Sequence, residues 1–249
     1  MILNMDSSVI QTAFNVIHLL TNNSANRYIR LGFVIRALQI KESRFHLNQL
    51  LKNDGEKNRN PYETTETNIY LNSYYLNLFG ALDCLAWGFH YEFDLIEGAT
   101  EKNRKRNKIS LFHDAYLERL RAINSDLVKQ ILEYKSWYQN VKEFRDPAAH
   151  RIPLYCPPGV VTNEHQQELE SAKEDYENQD YSIDPDAYMN AMRKLSSVGE
   201  FRAIFLSYSE DGDTMFPLKR TLNEDYDPFW SLSNLVLTYL YDYKMKSTT

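Results

Sequence analysis

Arg145 stands five residues before His150 in the stretch FRDPAAHR. A guanidinium is always charged and offers a planar fork of donors that grips a phosphate at two points. An imidazole loses or gains its proton near neutral pH and can relay it between reacting groups. Together they could cleave RNA without a metal: the histidine moves the proton of a ribose 2′-OH or of the leaving group while the arginine holds the phosphate, and products carrying a 2′,3′-cyclic phosphate are expected. One histidine cannot easily serve as base and acid in one turnover. A two-fold homodimer would bring a second copy of the pair.

Whether the two side chains converge depends on the helix that carries them. On one unbroken helix, five steps of about 100° set them roughly 140° apart. Pro147 opposes helix continuation and pushes Asp146 out of the helical region. The expectation is therefore that Arg145 closes a long helix, and that Asp146 caps a new turn with Pro147 first and His150 upon it. The free N–H groups of such a turn also suit an anion. Asp146 then joins Arg145 and His150 in the candidate catalytic set, as cap or orienter.

Other residues could serve the same chemistry. Arg151 and Tyr155 follow the pair and could pin or stack on a base. The run Lys102, Arg104, Lys105, Arg106, Lys108 is the one concentrated positive stretch, and Lys105 and Arg106 in particular could track a phosphate backbone. Arg106 and His113 also meet a looser form of the Arg/His spacing, which shows how readily chance supplies it. Asp83 lies in the apolar GALDCLAWG, where an ionised carboxylate needs a partner; it either orients Arg145 or His150 from a neighbouring helix or is satisfied locally. His18, His46, His90, His113 and His165 make no metal-ligand spacing with a cysteine or acidic partner, and no phosphate-cradling glycine loop or nucleophile elbow occurs, so no metal and no cofactor is expected.

The stretch FRDPAAHR after a long helix resembles the signature of the HEPN superfamily, and LNLFGALDCLAWGF is similar to the inner helix of such domains. The resemblance covers about residues 1–155. It implies an all-α helical bundle and a homodimer in which the Arg/His motifs face one another. It also implies metal-independent endoribonuclease activity on RNA, of the kind found among prokaryotic toxin and defence proteins, with room for an antitoxin-type protein partner. Asp146 stands where the family more often has Asn. The alternative reading is a catalytically silent HEPN-like dimer that binds or scaffolds.

The whole chain sets the frame for these elements. Its 249 residues are 43% hydrophobic, ample for a core, and the formal net charge of -6 means that any affinity for RNA must come from a local patch. Two cysteines argue against a disulfide framework and fit a reducing cytoplasm. No apolar run reaches the ~20 residues of a membrane span. Gly and Pro, eight each, are sparse, so helices should dominate.

A single helical domain over 1–249 is expected, with core helices within about 7–155. The first carries Ile10, Phe14, Ile17 and Leu20 on one side, and the second, Tyr28 to Leu51, repeats the pattern with Leu31, Val34, Ile35, Leu38, Phe45 and Leu50. The most apolar helix runs from Thr64 to about Phe89, and one capped by Ser125 leads to Arg145. An acidic, solvated insertion at about 158–185 follows, then a β-hairpin at about 201–220 around an Asp-Gly turn and a C-terminal helix at about 226–246.

Overall fold

The long apolar stretch in the middle of the sequence becomes the axis of the molecule. In the computed structural model, which describes residues 5–209 and 212–248, helix α4 (Pro61–Phe93) runs for 33 residues. Asn60 starts it by accepting from the N–H groups of Tyr62 and Glu63, and Glu63 returns the bond to the Asn60 N–H. This reciprocal cap, with proline in the first turn, sets the start three residues before the expected Thr64. Leu71, Tyr74, Tyr75, Leu78, Leu82, Leu85 and Phe89 are all buried.

Three groups of helices surround α4. Helix α1 (Met5–Leu19) pairs with the C-terminal helix α10 (Leu218–Thr248). Helix α2 (Asn23–Arg27), a π-helical stretch Tyr28–Phe33 and α3 (Val34–Leu50) form one continuous rod against α4. The approach is close: a side chain at Gly88 would meet Ile29 at 2.6 Å, and one at Gly32 would meet the Cys84 sulfur at 2.6 Å. Helices α5 (Asp114–Ile123), α6 (Ser125–Leu132) and α7 (Lys135–His150) complete the set. Asn124, not Ser125, caps α6 by accepting from the Leu127 N–H at 2.8 Å. The single helix expected after Ser125 is divided at Glu133 and Tyr134, where the backbone turns.

Two expectations are corrected here. Helix α7 passes through Pro147 without a break, so Arg145 lies within a helix and does not end one, and Asp146 caps nothing. Pro147 sits in the last turn, where its missing N–H forfeits only one intrahelical bond, and its own carbonyl still accepts from the Arg151 N–H at 3.0 Å. Along the rod of the π-helical stretch and α3 the expected inner face is also wrong in part. Leu31, Ile35, Leu38 and Phe45 are exposed, whereas Val34, Ala37, Ile40 and Leu47 are buried.

The acidic segment is built on a helix: α8 (Gln166–Glu177) packs against α9 (Pro185–Ser197). Strands β1 (Ile204–Ser209) and β2 (Gly212–Pro217) pair antiparallel from Ile204↔Pro217 to Ser209↔Gly212. Phe205 and Phe216 stack on each other and meet Phe144 edge-on, which fixes the hairpin to α7. Helix α10 begins eight residues before its expected start and carries Pro228 within it. No helix among the described residues is long and apolar enough to cross a membrane.

Candidate functional site

Helix periodicity places Tyr138, Lys142 and Arg145 on one side of α7, and Phe79, Asp83 and Trp87 on one side of α4. The two rows face each other across an open groove of about 900 Å³. The loop after α4 closes its third side with Glu101, Arg106, Ser110, Phe112 and His113, and Tyr28 closes the end.

Arg145 is half-buried. Its Nη1 donates to the Asp146 carboxylate at 2.9 Å, and its guanidinium lies 5.0 Å from the Phe79 ring centre. Asp83 shares the groove. Burial pushes its carboxyl up to about 6, against the opposing pull of Arg145 and Arg36. Arg36 is itself held by Asn77, which accepts from its Nη1 at 3.0 Å, and it lies across Gly80, where a side chain would come within 2.7 Å of it. Asp83 thus sits between two arginines fixed on separate helices.

Tyr138 stacks between Phe79 at 4.9 Å and Phe112 at 4.2 Å, and burial pushes its hydroxyl up to about 12. At the other end Tyr28 stacks on Trp87 at 5.5 Å and donates to Glu101 at 2.8 Å. His113 caps α5, its Nδ1 accepting from the Ala115 N–H at 3.1 Å. While that cap holds, the neutral ring carries its hydrogen on Nε2, so His113 can donate to an anion but cannot act as a base through that nitrogen.

The candidates from the sequence part company here. Arg145, Arg106 and Asp83 share the groove. Asp146 and Arg151 instead line a cavity of about 380 Å³ between α7 and the β-hairpin. Tyr155 borders a third cavity at the start of α4, and its backbone pairs with Leu206. Lys105 donates to the Glu97 carbonyl at 2.8 Å and is tied to its own loop. His150 ends α7, and its side chain lies outside the described part of the structure. Because α7 is unbroken, positions 145 and 150 are about 140° apart around its axis.

Sequence reasoning missed Lys142, Tyr138 and His113. For His113 a signal existed in its spacing from Arg106. For Lys142 and Tyr138 the signal was their three-or-four spacing from Arg145. Among the described residues no group of three or more His, Cys, Asp or Glu side chains is placed to hold a metal ion. No family model matches the chain, and no curated protein or solved structure matches it either.

Proposed function

We propose that the chain is a metal-independent endoribonuclease of HEPN type, acting as a homodimer, with Arg145 as the phosphate clamp. The observation that carries this reading is the groove itself, where Arg145, Lys142 and Arg106 stand among aromatic rings. Cations that grip successive phosphates, interleaved with rings on which bases stack, are what a single-stranded nucleic acid requires. Asp83, titrating near 6 beside Arg145, can exchange a proton in the same groove. His150 is the expected proton-transfer residue, and since its position is about 140° from Arg145 around one helix, it would serve the Arg145 of a second copy.

The Arg145–Asp146 ion pair supports a second reading, a catalytically silent protein that binds RNA or a partner through the same groove. One experiment separates the two. A labelled single-stranded RNA incubated with the protein in excess chelator should be cut to products bearing 2′,3′-cyclic phosphate. Arg145→Ala and His150→Ala should each lower the rate by about a hundredfold or more with the circular dichroism unchanged. Mixing the two inactive variants should restore part of the activity, because a mixed dimer keeps one complete site. Cutting that survives both substitutions defeats the assignment, and tight binding without cutting selects the second reading.

A further inference from the structure

The rod formed by the π-helical stretch and α3 is apolar on two sides. The inner side is spent on α4, yet Leu31, Ile35, Leu38 and Phe45 remain 49%, 44%, 50% and 56% exposed. Single exposed hydrophobes are ordinary on any surface. These four are not scattered. With Glu42 they step 4, 3, 4, 3 along the rod, the alternation of a coiled-coil seam in which alternate three- and four-residue steps keep one stripe facing a second helix. The stripe spans about 21 Å.

We propose that this stripe is the seat of a second copy of the chain, α3 lying antiparallel to α3 about a two-fold axis between Ile35 and Leu38. Charge selects both the occupant and its direction. Glu42, which meets His46 Nε2 at 3.1 Å on its own helix and keeps an exposed side, is the one charged member of the stripe, and Arg27 and Arg30 stand exposed at its opposite end. A parallel pair would set Glu42 against Glu42 in an apolar seam. The antiparallel pair sets Ile35 against Leu38 of the partner subunit, and Glu42 of the partner subunit beside Leu31, within reach of Arg27 and Arg30. The two-fold makes this contact twice, so the surface is self-complementary.

The same register brings Phe45 of the partner subunit over Tyr28, which lines the Arg145 groove and, with Leu31, Arg36 and Cys84, a smaller cavity of about 310 Å³ next to it. The second copy would therefore form part of the groove's rim. Two short helices bury a modest area, so association in the micromolar range is expected.

Sedimentation velocity over a concentration series tests the inference without reference to RNA cleavage. The unaltered protein should pass from monomer to dimer. Leu38→Glu, a change at a half-exposed position, should weaken association about thirtyfold or more, the loss expected of a central contact, with unchanged circular dichroism. Glu42→Arg should weaken it as well, and combining it with Arg27→Glu and Arg30→Glu should restore it. A protein that stays monomeric overturns the inference, as does a dimer that persists in Leu38→Glu. That last outcome would leave the dimer of the proposed function standing and seat its contact away from this stripe. Association lost in Leu38→Glu but indifferent to Glu42→Arg overturns the antiparallel docking.

Discussion

Asp83 shows how a single carboxylate couples the core to the groove. Burial raises its pKa from about 4 to about 6, so between those values the folded chain holds a proton that the unfolded chain has released. Stability therefore declines as pH rises through this window, and the penalty is complete above it. Asp83→Asn removes the penalty, so its melting temperature should exceed that of the parent at pH 7 and the difference should shrink toward pH 4. A difference that is constant or grows on acidification contradicts the assignment. Asp225 is also pushed up to about 6 by burial, but it accepts from Tyr75 at 3.0 Å and from Trp137 at 3.1 Å, so its replacement would strand two donors. Burial thus raises both aspartates, and they differ in what they hold. The sequence pointed to Asp83, since a charged residue in an apolar run must have a reason. Asp225 lies in a polar stretch, and nothing local marks it as buried.

At the scale of elements, the chain leaving α7 is pinned by two asparagines. Asn72 accepts from the Leu154 N–H at 3.0 Å and donates to its carbonyl at 2.8 Å, and Asn68 makes the same two-way contact with Cys156. They sit one turn apart on α4 and hold the residues on either side of Tyr155, whose own backbone pairs with Leu206 on β1. Asn72→Ala leaves a backbone donor and acceptor at Leu154 without partners and should cost about 1–3 kcal/mol, read as a lower urea midpoint at unchanged m-value. A midpoint within error of the parent would show that water replaces the side chain. Such pairings cannot be read from sequence, because they join residues more than eighty positions apart. The helices themselves were legible from their spacing. The inner face of α3 was not, since two apolar stripes on one rod give overlapping periodicities, and neither was the course of α7, where Pro147 falls in the last turn and forfeits only one intrahelical bond.

At the scale of the molecule, charge is partitioned. Residues 163–186 carry nine carboxylates against Lys173, a balance of -8, whereas the whole chain has -6. The remainder is therefore positive by 2, and the acidity that counts against RNA binding belongs to the helical arm built on α8. At 0.01 M salt the screening length is about 30 Å, so the field of the arm reaches well beyond its own surface; at 1 M it is about 3 Å. Glu168, Glu170, Glu174 and Glu177 are all exposed on α8, and their joint replacement by Gln should leave the fold intact. If RNA enters the Arg145 groove, this variant should bind a labelled single strand several-fold more tightly at low salt, and the two proteins should converge as salt rises. Arg106→Ala should act in the opposite sense, weakening binding and lowering the salt slope by about one phosphate contact. Equal affinities for the parent and the neutralised arm at 0.01 M salt would mean that the strand does not feel the arm, and the groove would have to be sought on the far side of the molecule.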